Sequence, residues 1–300
     1  MSKTAIIPNC SLKELNTWRC GGKCRWLASP AFADEAVELI KQANDAGTKL
    51  YALGGGSNIL VSDGMLDAGV ISTSALNTLE LYEENGAVFA NVGSGVRVGK
   101  MLALALQKNF DGFAFLTGIP GTVGGAICGN AGAAGESFAP LIEVIEGVTS
   151  SGEVKKWYKD DLKWEYRSSP WRDDVPLLVT KARMRLSYTT KDNIIKNIRR
   201  FAALKKGQPL GARTAGCVFK NPPGSSAGLL IDKCGCKGVS IGDARVSVRH
   251  ANFIENCGAA RSEDIFKLCE MCRMRVYEKF GIELEYEIKF FGAFQTPQKI

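Results

Sequence analysis

The chain has 300 residues, of which 45% are hydrophobic and 23% are charged, and its formal net charge is +7. This is the composition of a globular protein with two or three domains, and it excludes a disordered chain. There is no run of 18 apolar residues and no secretory leader pattern, so we expect a cytoplasmic protein without a membrane partner. Basic residues are mixed with acidic ones and are not interleaved with aromatic residues, which argues against a nucleic-acid partner. The excess charge favours either a solvated basic surface or a local field for anionic ligands.

The chain contains ten cysteines. In a cytoplasmic protein we expect these to be thiols and not disulfides. Cys269 and Cys272 form a CxxC pair within a helical pattern, and a single pair without a matched partner pair favours structural thiols over a zinc site. We therefore expect no metal site.

The first 110 residues predict strands and helices in alternation. Ser29-Pro30 has the form of an N-cap and first helical residue, an apolar stripe at helical spacing follows it, and Gly47 ends that helix. Glu84-Asn85-Gly86 predicts a hairpin turn. The other elements predicted in this part are strands at 49–53, 59–61, 70–73, 79–82 and 87–92, and a helix at 98–108.

Residues 53–58 read Leu-Gly-Gly-Gly-Ser-Asn and lie between two short apolar runs. Glycine reaches positive φ and lets a ligand approach the backbone closely. Consecutive N–H groups in such a turn form a concave site for anions such as phosphate. The spacing is not GxGxxG. This loop therefore favours either phosphate binding or a glycine-rich hairpin turn.

A second glycine cluster spans residues 118–135, with seven glycines in 18 positions and almost no charge. Each glycine costs roughly 1 kcal/mol in a helix, so we expect no stable ordinary helix here. Uncharged, glycine-rich backbone suits a large and partly apolar ligand. Together, the two glycine loops predict a dinucleotide bound across two backbone surfaces.

Beyond residue 140, strands are predicted first and helices later. A polar and aromatic loop at 166–171 lies between strands and is a candidate substrate contact. We place a domain boundary near 190. The last predicted strand, 282–290, alternates apolar residues with polar ones such as Glu287. The other predicted elements are strands at 142–148, 153–157, 177–186, 246–248 and 253–254, and helices at 191–206, 228–233 and 261–280.

Seven motifs in a fixed order resemble those of the bacterial UDP-N-acetylenolpyruvoylglucosamine reductases, the flavoenzymes that complete UDP-N-acetylmuramic acid for peptidoglycan. The similarity runs nearly end to end, and no long insertion follows Tyr166-Arg167, so the chain resembles the compact type of the family. The motifs are Asn16-Thr17-Trp18-Arg19, Leu53 to Asn58, Gly118 to Ala126 with Asn130-Ala131-Gly132, Tyr166 to Ser169, Ala215 to Pro222, Val246-Ser247 with His250 to Phe253, and Leu284 to Glu287.

This resemblance implies an α+β fold. A vanillyl-alcohol-oxidase (PCMH) type FAD-binding domain at 1–190, with subdomains of about 1–72 and 73–190, precedes an α+β substrate-binding domain at 191–300. It implies FAD and NADPH as cofactors. NADPH gives a hydride to FAD, and the reduced flavin passes a hydride to the enolpyruvyl double bond of UDP-N-acetylglucosamine enolpyruvate. The expected partners are this small-molecule substrate and NADPH. The protein itself is expected to be a monomer.

Three catalytic residues follow from the resemblance. Arg167 would hold the enolpyruvyl carboxylate in its planar fork and stabilise developing charge; the alternative is a surface arginine. Glu287 is selected over Glu283 and Glu285 for charge or proton handling, the alternative being a solvated polar face. Cys217 stands where most members have serine as the proton donor. A cysteine, with a reference pKa of about 8.5, can also donate; the alternative is an inactive core thiol.

The resemblance also implies binding residues. The expected substrate contacts are Tyr166, Lys205, Lys220 and Asn221, with Lys206 as an alternative to Lys205 at the UDP phosphates. His250 is expected to be structural. The expected cofactor-binding residues are Leu53, Gly54, Gly55, Gly56, Ser57, Asn58, Gly118, Ile119, Pro120, Gly121, Thr122, Gly124, Gly125 and Ala126.

Two rival functions remain at this point. One is a different flavoprotein of the same fold, an oxidase that acts on an alcohol or a sugar. The other is a non-catalytic module that binds a UDP-sugar or nucleotide. The Cys217-to-Asn221 segment and Glu287 argue against the first, and retention of Arg167 together with Glu287 argues against the second.

Overall fold

The computed structural model describes residues 4–171 and 175–294. Within these residues the strands are β1 (Ile6–Ser11), β2 (Lys23–Ala28), β3 (Leu50–Leu53), β4 (Ile59–Val61), β5 (Met65–Ser72), β6 (Leu79–Glu84), β7 (Ala87–Gly93), β8 (Gly132–Ala133), β9 (Glu136–Ser137), β10 (Ile142–Val148), β11 (Val154–Tyr158), β12 (Leu178–Leu186), β13 (Ser240–Ile241), β14 (Ala244–Val246), β15 (Ile254–Asn256) and β16 (Lys289–Phe291). The α-helices are α1 (Ala33–Asp45), α2 (Val98–Lys108), α3 (Val123–Cys128), α4 (Lys191–Leu204), α5 (Ala227–Lys233) and α6 (Ser262–Phe280). In the part of the chain described, no helix is long and apolar enough to cross a membrane.

The chain divides into two compact units. The first contains Trp26–Gly55 and Ala68–Lys206, preceded by the chain up to Pro8. The second contains Asn9–Arg25, Gly56–Asp67 and the chain from Gly207 onward. Each unit therefore combines segments that are distant in sequence.

The first unit is built on an antiparallel five-stranded sheet in the order β11-β10-β12-β7-β6. The predicted hairpin joins β6 to β7, with Asn85 at φ 52° and Gly86 at φ 74°. Two consecutive residues at positive φ are what a two-residue hairpin with the native strand twist requires. Helix α2 packs Val98, Met101 and Ala105 into the same hydrophobic core as this sheet.

Helix α1 and the parallel pair β3–β5 form another part of the first unit. The apolar stripe predicted for α1 is confirmed: Ala36, Leu39, Ile40 and Ala43 are its buried residues. The predicted start at Ser29-Pro30 is wrong, because α1 begins at Ala33. The Glu35 carboxylate accepts the Ala31 N–H at 2.7 Å and so closes a turn before the helix.

The second unit packs α6 against the antiparallel sheet β13-β14-β15. Trp18 is a central core residue of this unit and has no exposed surface. Its indole N–H donates to the Ile254 carbonyl at 2.8 Å, and its own carbonyl accepts from Nδ2 of Asn256 at 2.7 Å. The Asn-Thr-Trp-Arg motif therefore holds an N-terminal segment in the second unit.

The C-terminal strand is shorter than its pattern predicted. Only Lys289–Phe291 forms a regular strand, β16, which pairs in parallel with β4. The predicted alternation still holds in the burial of side chains before it: Leu284 and Ile288 are buried, whereas Glu283 and Glu285 are exposed. Alternating burial thus continues through an extended segment that makes only an isolated bridge, Phe219 with Tyr286.

Candidate active site

The two predicted glycine loops touch each other within the first unit. A Cβ on Gly54 would lie 2.8 Å from the Thr122 hydroxyl, and one on Gly55 would lie 2.6 Å from the Gly121 Cα. Real Cβ atoms do not approach backbone atoms as closely as 2.6 Å, so the contact itself requires glycine at 55, whereas at 54 a side chain would displace the Thr122 hydroxyl. The structure thus joins Gly54 and Gly55 to Gly121 and Thr122 in one backbone surface.

This surface fits an anionic dinucleotide. The backbone N–H groups of Gly54, Gly55, Gly118 and Gly121 donate to no other group in the described residues. Gly118 and Gly121 have positive φ angles of 69° and 112°. Neither 53–58 nor 118–126 contains an acidic residue. Amide donors of this kind, two of them in left-handed turns and none in a segment with a carboxylate, are suited to phosphate oxygens.

The second loop contains a short helix that its glycine content had argued against. Helix α3 covers Val123–Cys128, and its N-cap residue Thr122 accepts the Gly125 N–H at 3.5 Å. The Gly124 N–H is bonded to the Ser94 carbonyl at 2.9 Å, and a Cβ on Gly124 would lie 2.5 Å from the Ser94 Cβ. Packing against Ser94 therefore offsets the poor helix propensity of these glycines.

Lys205, the residue that follows α4, supports the second glycine loop. Its side chain is buried, and Nζ donates to the carbonyl of Thr117, the residue before Gly118. Lys206 is exposed. The ammonium group of Lys205 therefore lies at the base of the loop. Of the two neighbouring lysines, Lys206 is the exposed one.

Arg167 is in a left-handed conformation, with φ 52°. This conformation is rare for a residue with a long side chain and costs about 1 kcal/mol, and residues held in it cluster at functional sites. The guanidinium donates from Nη1 to the Asn130 carbonyl at 3.4 Å and lies over the ring of Tyr166, 5.5 Å from its centroid. Tyr166 is 60% exposed.

In the second unit, Asn252 fixes the backbone next to Cys217. The Val218 N–H donates to the Asn252 carbonyl at 2.9 Å, and the Asn252 amide bonds the N–H and the carbonyl of Phe219. Asn252 is buried, whereas Cys217 is half-buried. Gly216, at φ 80°, provides the turn that precedes the thiol. Cys217 is thus a partly accessible thiol on an immobilised backbone.

Glu287 lies opposite this segment in the same unit. Its N–H donates to the Val218 carbonyl at 2.8 Å, and its carbonyl accepts from Nδ2 of Asn58 at 3.1 Å. The Asn58 carbonyl in turn accepts the Lys289 N–H at 2.9 Å. Glu287 is half-buried, in contrast to Glu283 and Glu285 on the same polar face. The structure therefore distinguishes Glu287 from its neighbours, as the resemblance did.

Lys220 and Asn221 follow Cys217 on the same segment. Nζ of Lys220 lies 2.8 Å from Oε2 of Glu285, and this hydrogen bond lowers the pKa of the Glu285 carboxyl. Oδ1 of Asn221 accepts the Ala227 N–H at 3.0 Å at the start of α5. Both of these predicted substrate residues therefore have partners within the protein.

Of the three predicted catalytic residues, Arg167 belongs to the first unit, and Cys217 and Glu287 belong to the second. Sequence reasoning did not assign roles to Asn130 and Asn252, which contact the segments of Arg167 and Cys217. Both are amide residues within motifs dominated by small or apolar residues. That composition was the available signal, because a polar side chain in such surroundings needs a hydrogen-bonding partner.

Comparison with known proteins defines the class first. Residues 25–157 match the family described as FAD binding domain, and residues 208–291 match the one described as UDP-N-acetylenolpyruvoylglucosamine reductase, C-terminal domain. The protein is therefore a flavoprotein in which an FAD-binding domain precedes a second, distinct domain. The predicted α+β fold, with a vanillyl-alcohol-oxidase type domain, and the predicted FAD cofactor are confirmed.

The similarity extends over the whole chain. A UDP-N-acetylenolpyruvoylglucosamine reductase of Caldicellulosiruptor saccharolyticus is 36% identical over 95% of this chain and 92% of its own, and one of Chloroflexus aurantiacus is 34% identical over 95% and 97%. The crystal structure of the Thermus caldophilus reductase aligns with a TM-score of 0.79 at 33% identity, over 97% of this chain and 100% of that one. The chain belongs to the UDP-N-acetylenolpyruvoylglucosamine reductase family.

Proposed function

We propose that this chain catalyses the NADPH-dependent reduction of UDP-N-acetylglucosamine enolpyruvate to UDP-N-acetylmuramate, a step of peptidoglycan synthesis. The observation that carries the proposal is the hydrogen bond from the Glu287 N–H to the Val218 carbonyl, which joins the segment of a half-buried glutamate to the segment that contains Cys217. In a chain of this family, a thiol and a carboxylate carried on adjoining segments suit proton delivery to a substrate carbon.

The cofactor is held by backbone in this proposal. The N–H groups of Gly54, Gly55, Gly118 and Gly121 would bind the pyrophosphate of FAD, with the rest of 53–58 and 118–126 enclosing it. FAD, when bound, supplies hydride transfer from NADPH to the enolpyruvyl double bond. Residues 1–190 are assigned to FAD binding and residues 191–300 to the substrate.

The protein residues then orient the substrate and move the proton. Arg167 holds the enolpyruvyl carboxylate through its planar guanidinium and stabilises the negative charge that develops next to it. The Cys217 thiol gives its proton to the carbon neighbouring the one that receives the hydride, and is left as a thiolate. Glu287 assists charge handling at the carboxyl end of the substrate.

The remaining polar residues bind the substrate body. Tyr166, Lys220 and Asn221 are assigned to substrate contacts, and Lys220 would exchange its partner Glu285 for the ligand. Lys205, with Lys206 as the adjacent alternative, is assigned to the UDP phosphates. The proposal also includes a cytoplasmic, monomeric enzyme without membrane or nucleic-acid partners, and light scattering of the purified chain tests the monomer.

Anaerobic stopped-flow absorbance of the purified flavoprotein tests the proposed reaction. NADPH should bleach the flavin, and UDP-N-acetylglucosamine enolpyruvate should then restore its colour rapidly. Oxygen consumption with an alcohol or sugar, without reoxidation by the enolpyruvyl substrate, would support an oxidase instead. A colourless protein that binds UDP-sugars without flavin would support a non-catalytic module.

A further inference from the structure

Asn130 contacts both ends of the tripeptide Glu165-Tyr166-Arg167 within the first unit. Its side-chain Nδ2 donates to the Glu165 carbonyl at 2.5 Å. Its backbone carbonyl accepts from Nη1 of Arg167 at 3.4 Å. One residue therefore fixes the start of the tripeptide through its side chain and the guanidinium at its end through its backbone.

The hydrogen bond to Glu165 determines which way the side-chain amide of Asn130 faces. A carbonyl accepts hydrogen bonds, so only the amide nitrogen can face Glu165. This leaves Oδ1 buried without a hydrogen-bond partner among residues 4–171 and 175–294. Buried polar atoms are normally paired, and those that are not require an explanation. The bond to Glu165 is the explanation that the contacts of Asn130 provide.

The backbone of Asn130 is also specialised. Its φ is 41°, and Arg167 is likewise left-handed at 52°. The Asn130 N–H donates to the Ile127 carbonyl at 3.0 Å, at the end of α3. The left-handed turn thus directs the Asn130 carbonyl and side chain away from the glycine-loop helix and toward the Arg167 segment.

From these contacts we propose that Asn130 is a positioning residue that orients Arg167 to hold the carboxylate of the substrate. This inference rests on the proposed function, because the carboxylate is that of the enolpyruvyl group. Asn130 acts through Arg167 and does not itself touch the reacting atoms. Its loss should weaken recognition of the carboxylate and slow the step that uses it, without slowing flavin reduction by NADPH.

The variant that isolates the side chain is Asn130→Gly. Glycine accepts the left-handed backbone and keeps the main-chain carbonyl, so only the amide is removed. Asn109→Gly is the matched control, since Asn109 is also left-handed, at φ 60°, but ends α2, where its carbonyl accepts the Thr189 N–H at 2.8 Å. Arg167→Lys supplies the second arm of a double-mutant cycle, because lysine keeps the charge and loses the planar fork.

Calorimetric titration of the oxidised flavoprotein measures the preference for UDP-N-acetylglucosamine enolpyruvate over UDP-N-acetylglucosamine, which lacks the carboxylate. Asn130→Gly should reduce this preference about tenfold, the effect of one lost hydrogen bond on an oriented charge. It should cause no further loss in the Arg167→Lys background. In stopped flow, Asn130→Gly should slow reoxidation by substrate and leave reduction by NADPH unchanged, and Asn109→Gly should change neither.

Additive losses in the double variant, or equal slowing of both half-reactions by Asn130→Gly, would overturn the positioning role while the reductase proposal stood. A wild-type protein that shows no preference for the carboxylate ligand and no reoxidation by it would overturn the proposed function and this inference together.

Discussion

Asn252 holds Phe219 through both ends of its side-chain amide: Oδ1 accepts the Phe219 N–H at 2.9 Å, and Nδ2 donates to the Phe219 carbonyl at 2.8 Å. The amide is 2% exposed, so water cannot replace either bond. These two hydrogen bonds hold the backbone two residues after Cys217. Asn252 therefore stabilises the conformation of the segment that carries the thiol.

Replacing Asn252 with alanine should lower the free energy of unfolding by about 2–4 kcal/mol, because two buried backbone groups of Phe219 lose their partners. Asn252→Asp keeps an acceptor for the Phe219 N–H but buries a carboxylate against the Phe219 carbonyl, so at neutral pH it should destabilise the protein at least as much as Asn252→Ala. Urea denaturation followed by circular dichroism measures both variants. Wild-type stability in Asn252→Ala would contradict the account of this contact.

His250 should make the stability of the fold depend on pH below neutrality. Burial and then the nearby charge of Lys237 lower its pKa, and its Nδ1 accepts the Asn252 N–H at 3.3 Å. The unfolded chain, with an ordinary pKa of about 6.5, then binds a proton more readily than the folded one. The contribution of neutral His250 is present above that value and is lost as the pH falls toward the lowered folded pKa.

The thermal midpoint of the wild type, measured from pH 8 to pH 5, should therefore fall more steeply than that of His250→Gln. His250 is the single histidine in the chain, so no other imidazole contributes to the difference. Parallel curves for the two proteins would refute the assignment. This comparison requires no substrate, and the thermal midpoint measures the stability of the folded protein alone.

Cys217 should be replaceable by serine but not by alanine. Serine offers a proton on a smaller and less acidic group, and alanine offers none, so Cys217→Ser should retain turnover and Cys217→Ala should lose about 10²–10⁴-fold in the rate of flavin reoxidation. Reduction by NADPH should be unchanged in both. Equal reoxidation in the alanine variant would remove Cys217 as the essential acid, and complete loss in a folded serine variant would contradict simple replacement.

Gly55 should tolerate no side chain. Gly55→Ala places a methyl group 2.6 Å from the Gly121 Cα, which forces the loops apart and should cost about 2 kcal/mol or more. The control is Gly99→Ala on the exposed side of α2, where the added Cβ meets nothing within 4 Å and should stabilise the protein by about 0.5 kcal/mol. Denaturation measures both, and the ratio of flavin to protein absorbance after gel filtration measures cofactor retention. Full stability and flavin content in Gly55→Ala would show that the loop contact can relax.

Elements with a strong local signal were predictable from the sequence. The stripe of α1, the Asn85-Gly86 turn and α4 follow from periodicity and turn chemistry, which depend on near neighbours. The start of α1 at Ala33 and the short helix α3 were missed, because each is decided by a contact that spacing does not encode: the Glu35 carboxylate in one case and close packing on Ser94 in the other.

The candidate site divides in a similar way. The glycine loops are evident from composition, but the sequence assigned their glycines to ligand approach alone. In the structure, Gly55 is also required by the contact with the backbone of the second loop. The roles of Arg167, Cys217 and Glu287 came from resemblance and remain predictions. The contacts of Asn130 and Asn252 join residues more than thirty positions apart, and such pairs cannot be read from one chain without its fold.

The parallel pairing of β16 with β4 has a consequence for biosynthesis. Ile59–Val61 leaves the ribosome about 230 residues before its partner Lys289–Phe291 is made. At translation rates of 5–20 residues per second, the apolar β4 segment waits on the order of ten seconds or more for that partner. The nascent chain therefore carries an unpaired strand edge while the intervening residues are made, and a ribosome that stalls before Lys289 holds a protein whose second unit cannot close.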